Sequence, residues 1–125
     1  TIVDNDPAFC KTLGDILQHR GFTVTQITNP HADIDLMASD SQTILLDMKL
    51  NAITGLDVLR LIRTRYPEVP VLLVTGHRGE MAENIQEALD LSAFTCLYKP
   101  LEVQNLLEVL TTLQLEHLRG VIATK

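Results

Sequence analysis

Three aspartates, a threonine and a lysine stand at or just beyond the ends of short apolar runs. Asp4 and Asp6 follow Ile2-Val3, Asp47 follows Ile44-Leu45-Leu46, Thr75 closes the run from Val71, and Lys99 closes the run from Thr95. Carboxylates gathered at one place repel one another, so keeping Asp4, Asp47 and Asp6 ionised together calls for a cation. Hard oxygen ligands select Mg²⁺, which keeps several of its waters and accepts a phosphate oxygen. Phosphoryl transfer is mostly positioning and charge neutralisation around an in-line displacement. A carboxylate can be the nucleophile, while a metal ion, an ammonium and a hydroxyl hold the other phosphoryl oxygens. Every part of that chemistry is present in this set.

Whether the set comes together depends on the elements that carry it. Strand-length β-branched runs occur at Thr1–Asp4, Phe22–Ile27, Thr43–Asp47, Val71–Thr75 and Thr95–Lys99. Helical patterns separate them. Asp6-Pro7 reads as an N-cap with proline in the first turn, Phe9, Leu13, Ile16 and Leu17 recur on one face, and Gly21 ends that helix. Asn29-Pro30 starts a shorter second helix with Ile34, Leu36 and Met37. Leu56, Leu59, Ile62 and Tyr66 mark a third, and Met81, Ile85, Ala88 and Leu89 a fourth. Val103, Leu106, Leu107, Leu110 and Leu113 mark a fifth, with a pattern reaching Leu118 before Gly120. Strands alternating with helices predict right-handed crossovers and a parallel sheet covered on both faces. Ligands bind such sheets outside the carboxyl ends of the strands, which is where Asp4, Asp47, Thr75 and Lys99 fall.

Four separated stretches carry a resemblance. They are Ile2-Val3-Asp4-Asn5-Asp6-Pro7, Ile44-Leu45-Leu46-Asp47-Met48-Lys49-Leu50 through Thr54-Gly55-Leu56, Val74-Thr75-Gly76-His77, and Tyr98-Lys99-Pro100-Leu101. In this order and spacing they resemble the receiver domain of two-component response regulators over nearly the whole chain. The resemblance implies a flavodoxin-like (βα)5 doubly wound α/β fold, a five-stranded parallel sheet of order 2-1-3-4-5, an order for which the receiver is a standard illustration. It implies that Asp47 accepts a phosphoryl group from a sensor histidine kinase or phosphotransfer protein. Asp4, Asn5, Asp47 and the backbone carbonyl of Lys49 would hold Mg²⁺, Thr75 would hydrogen-bond the phosphoryl group and Lys99 would pair with it. The Lys99-Pro100 bond would be cis, which proline permits. Residues 1–119 would form the receiver and 120–125 the start of a linker or tail. The domain would be no enzyme beyond assisting its own Mg²⁺-dependent phosphorylation and dephosphorylation, and it would sit in the cytoplasm. A homodimer through the fourth and fifth helices is a further expectation.

Three positions depart from the family pattern. Asn5 stands where a second acid usually touches the metal, and a neutral carbonyl oxygen predicts weaker Mg²⁺ binding. Asn51-Ala52 replace the usual Pro-Gly after the acceptor. Cys96 stands three residues before the lysine, where an aromatic side chain usually turns inward on activation. Alternation puts Phe94 and Tyr98 on the face of Cys96, so either one of them substitutes or the switch works without an aromatic rotamer.

Plainer readings stand beside these. Asp6 is better explained as a cap than as a metal ligand. His77, on the loop after Thr75, either tunes water access or is an ordinary surface histidine. Cys10 and Cys96 read as buried hydrophobes and are too few for a disulfide framework, which favours a reducing compartment.

Composition narrows the alternatives. The 125 residues carry 10 Lys+Arg against 16 Asp+Glu, a net charge of −6, with 46% hydrophobic residues. That is one acidic folded domain, without the clustered cations that a nucleic-acid or anionic-membrane surface demands. No apolar run is long enough to span a membrane. The chain opens on Thr1 inside an apolar run, so an earlier segment is expected to precede it. Asp4-Asn5-Asp6 also fits the start of haloacid-dehalogenase-type phosphatases, but the late acidic pair they need is missing, and Asp47 is left unexplained. A flavodoxin is disfavoured because an acidic first loop repels phosphate. A receiver-like interaction module without phosphorylation is the remaining alternative, with Asn5 in its favour and Asp47, Thr75 and Lys99 against it.

Overall fold

The computed structural model describes residues 1–27, 43–48, 50, 54–76, 79 and 82–123, with backbone alone for 116–123. The second helical pattern, Lys49, Asn51-Ala52 and His77 lie outside the described residues. The apolar runs form β1 (Ile2–Val3), β2 (Gln26–Ile27), β3 (Ile44–Asp47), β4 (Val71–Thr75) and β5 (Thr95–Tyr98). All neighbours pair in parallel in the order β2-β1-β3-β4-β5, as expected. The first, third, fourth and fifth helical patterns form α1 (Pro7–His19), α2 (Gly55–Arg65), α3 (Ala82–Asp90) and α4 (Val103–Ala123).

Alternation along the strands splits the core in two. Val3, Ile44, Leu46, Val71 and Leu73 face a cluster built with α2 and α3, and Ile2, Leu45, Leu72 and Val74 face one built with α1 and α4. β3 and β4 are buried along their whole length, as a sheet covered on both sides requires. Leu106, fully buried on α4, is worth about 2–5 kcal/mol against alanine in such a core.

Helix ends are fixed by local chemistry. Asp6 caps α1, its Oδ1 accepting from the amides of Ala8 (3.1 Å) and Phe9 (3.2 Å). Gly21, at φ 92°, closes the other end, with Gly21 N donating to Gln18 O and Phe22 N to Leu17 O. Phe22 therefore spends its amide on the helix, and strand pairing starts later than the sequence pattern suggests, at Gln26. α3 ends in the same way on Ser92, at φ 69°: Ser92 N donates to Leu89 O and Ala93 N to Ala88 O. α4 runs through Gly120 to Ala123, past the residue that the sequence pattern uses as its stop.

Arg63, near the end of α2, locks this corner. Its guanidinium donates to the carbonyls of Val69 (2.7 Å), Leu91 (2.9 Å) and Ser92 (3.1 Å), joining the end of α3 to the turn before β4. Nothing in the sequence pattern singled it out.

Candidate functional site

The register sets the rim. Val3 pairs with Leu46, so Asp4 continues to the level of Asp47, and Asp47 pairs with Val74, one residue before Thr75. Thr75 pairs with Tyr98, and Lys99 N donates to Thr75 O at 2.9 Å. The carboxyl ends of β1, β3, β4 and β5 thus deliver Asp4, Asp47, Thr75 and Lys99 to one place.

Asp4, Asp47 and Thr75 are the buried polar side chains among the described residues, at 1%, 5% and 0% exposure. Two carboxylates removed from water this far need positive partners. Lys99 supplies one: Nζ lies 2.8 Å from Asp4 Oδ2 and 3.8 Å from Asp47 Oδ2. The second Asp4 oxygen, Oδ1, accepts from the amide of Asp6 at 2.9 Å. Asp6 caps α1 with its own carboxylate, so its backbone serves the rim while its side chain serves the helix. The Lys99-Pro100 bond is cis.

Cys10 sits under this group, its thiol donating to Asp4 O at 3.5 Å. Burial, and then the Asp4 and Asp6 carboxylates, push its pKa up to about 11. A fully buried, protonated thiol is the hydrophobe the sequence suggested. Cys96 is half-buried and packs with Tyr98 on the α2/α3 side, whereas Phe94 is 41% exposed.

Two residues take on roles here that their place in the sequence pattern did not reveal. Gly55 opens α2 close to the carboxyl end of β3, its amide donating to Met48 O at 2.9 Å. A Cβ there would stand 2.4 Å from Asp47 O and 2.7 Å from Met48 Cα, so the helix can approach Asp47 this closely only with glycine. Phe9, read from its spacing as a core residue of α1, places its ring 4.3 Å from Lys99 Nζ.

The donor set fits Mg²⁺. Among the described residues no three His, Cys, Asp or Glu side chains converge as a metal cage, but Mg²⁺ is usually held by one or two carboxylates plus waters and phosphate oxygens. Buried Asp4 and Asp47 meet that need, and half-buried Asn5 directly follows Asp4 in sequence. Lys49, whose carbonyl was expected to complete the set, lies outside the described residues.

Comparison with known proteins agrees with this geometry. Residues 1–111 match the family described as the response regulator receiver domain. The chain is 30% identical over 120 residues to the response regulator protein FleR of Pseudomonas aeruginosa, covering 95% of this chain and 25% of FleR. It spans about half or less of the other curated relatives as well. A CheY-like response regulator receiver domain protein from Methanospirillum hungatei superposes with a TM-score of 0.85 at 25% identity, covering 95% of each chain. A response regulator from Burkholderia pseudomallei, solved with a phosphorylated aspartic acid, calcium ion and citrate, gives a TM-score of 0.75 at 25% identity, covering 98% of this chain and 82% of that one.

Proposed function

Because this chain belongs to the response regulator receiver domain family, the phosphoacceptor domains of two-component signalling, we propose that Asp47 is its acceptor and that the rim around Asp47 runs the transfer. The observation that carries this reading is the single ammonium of Lys99 shared by two buried carboxylates at the carboxyl ends of β1 and β3.

In the proposed step an Asp47 oxygen attacks the phosphorus of a phosphohistidine on a sensor kinase or phosphotransfer protein. The phosphorus–nitrogen bond breaks, and the imidazole departs with its electron pair. Lys99 turns from Asp4 towards the new phosphoryl oxygens, with which its ammonium pairs. The Thr75 hydroxyl, at the end of the neighbouring strand, hydrogen-bonds the same group. Mg²⁺, held through Asp4, Asn5, Asp47 and the Lys49 carbonyl, would supply the charge neutralisation that phosphoryl transfer demands. Hydrolysis of the aspartyl phosphate uses the same residues, so catalysis is confined to the domain's own modification.

Phosphorylation replaces the single negative charge of the Asp47 carboxylate with about −1.5 to −2 on the acyl phosphate, a net gain of up to about one negative charge at the rim, and shifts a pre-existing equilibrium in α3 and α4. That face is where a second copy or an output segment would sense the change. Among the described residues no helix is long and apolar enough to cross a membrane, and the net charge of −6 leaves nucleic-acid contact to another part of a longer protein. We assign the domain to the cytoplasm, where kinase phosphodonors are made.

Incubation with Mg²⁺ and acetyl phosphate followed by intact-mass measurement tests the reading. The wild type is expected to gain one phosphoryl group and Asp47→Ala none, with circular dichroism confirming that the variant folds. No gain in the wild type would favour the unphosphorylated interaction module.

A further inference from the structure

We propose that Phe9 is a positioning residue for Lys99, its ring face holding the ammonium at the rim between Asp4 and Asp47. The inference rests on the reading of Asp47 as acceptor, and it adds a residue outside the acid, threonine and lysine set.

A lysine side chain is a long flexible stem, and that of Lys99 is 26% exposed, so burial alone does not fix it. Its ammonium meets Asp4 Oδ2 at 2.8 Å and Asp47 Oδ2 at 3.8 Å. The Phe9 ring centroid is 4.3 Å from Nζ, inside the range of about 6 Å over which a ring face attracts a cation. A ring face attracts the charge without accepting a strong hydrogen bond. The ammonium hydrogens are therefore left for Asp4 and, after transfer, for phosphoryl oxygens.

The ring is itself fixed. Phe9 lies in the first turn of α1, its amide bonded to the Asp6 cap at 3.2 Å, and its side chain packs against the α1/α4 core. Asp6 also donates its amide to Asp4 Oδ1 at 2.9 Å. One capping residue thus sets both the carboxylate and the ring against which the ammonium rests, and the start of α1 becomes part of the phosphorylation site.

Phe9→Leu keeps an apolar side chain and removes the ring, whereas Phe9→Tyr keeps the ring. The ε-methylene protons of Lys99, followed by NMR without any phosphodonor, are expected to carry an upfield ring-current shift in wild type and Phe9→Tyr and to lose it in Phe9→Leu. The initial rate of phosphorylation by acetyl phosphate is expected to fall about two- to thirty-fold in Phe9→Leu and to be retained in Phe9→Tyr. Unshifted Lys99 protons in the wild type, a wild-type rate in Phe9→Leu, or a Phe9→Tyr protein as slow as Phe9→Leu would overturn the proposal. If the wild type takes no phosphoryl group, the acceptor reading fails instead, and the Lys99 shift still decides whether the ring holds the ammonium.

Discussion

Lys99 Nζ stands 2.8 Å from Asp4 Oδ2, so the lysine already neutralises the buried acid that a divalent cation would use. A Mg²⁺ ion held by Asp4, as proposed, would compete with the ammonium for one carboxylate, and that competition has a measurable sign. Lys99→Ala leaves Asp4 and Asp47 without this cation, and Mg²⁺ affinity by calorimetric titration is expected to rise about tenfold, the change given by about 1.4 kcal/mol of lost competition. The same variant is expected to phosphorylate more slowly. An unchanged or weaker Mg²⁺ affinity would mean that lysine and metal do not compete.

Asn5 offers a second test of the proposed metal site. Asn5→Asp adds a third carboxylate beside Asp4 and Asp47, and the Mg²⁺ concentration for half-maximal phosphorylation by acetyl phosphate is expected to fall about three- to tenfold. Equal midpoints for wild type and Asn5→Asp would show that this position does not contribute to metal binding.

Gly55 links helix packing to the end of β3 that carries Asp47. A Cβ at 2.4 Å from Asp47 O must push α2 or the strand aside, so Gly55→Ala is expected to cost about 1–3 kcal/mol in urea unfolding and to slow phosphorylation. Gly76→Ala is the control: its Cβ would meet Lys99 Cβ at 3.7 Å, an ordinary contact, and stability should change by less than about 0.5 kcal/mol. Equal costs for the two variants would remove Gly55 from the site.

The strand ends were legible because four of the five apolar runs stop on a polar residue, and a parallel sheet brings such ends to one rim. Asp6-Pro7 and Gly21 announced both ends of α1 for the same kind of local reason. What escaped depends on tertiary context. The Phe22 amide is consumed by the helix end before it, so a run that reads as strand from Phe22 pairs only from Gln26. Phe9 at helical spacing reads as core, and only the fold reveals Lys99 against its ring. Gly120 reads as a stop, yet a glycine inside a helix costs only about 1 kcal/mol, which the rest of a long helix tolerates.

Ser92 shows how a helix end without a glycine can be improved. It holds φ 69° at the end of α3, where a side chain costs about 1 kcal/mol that glycine does not incur. Its carbonyl, which accepts from Arg63 at 3.1 Å, is unaffected by the change. Ser92→Gly is therefore expected to stabilise the fold by about 0.5–1 kcal/mol, seen as a raised urea midpoint with unchanged slope. A lowered midpoint would show that the serine side chain contributes more than its backbone strain costs.

Cys10 makes alkaline stability a test of how tightly the α1/α4 core closes beneath Asp4. Burial raises its thiol from an ordinary 9.0 to about 11, so below pH 9 the group is protonated in both folded and unfolded chains and contributes no pH dependence. Between pH 9 and 11 the unfolded chain ionises while the folded one does not, and stability falls as pH rises. The slope from this one group approaches about 1.4 kcal/mol per pH unit within that window. Lysines and tyrosines titrate there too, so the measurement is a comparison: urea unfolding of wild type and Cys10→Ala at several pH values from 8 to about 11. Cys10→Ala is expected to be less stable at pH 8 from the lost packing, and to lose less stability on going to alkaline pH. Parallel curves for the two proteins would mean that the thiol ionises in the folded state as readily as in water, and that the core under Asp4 admits solvent.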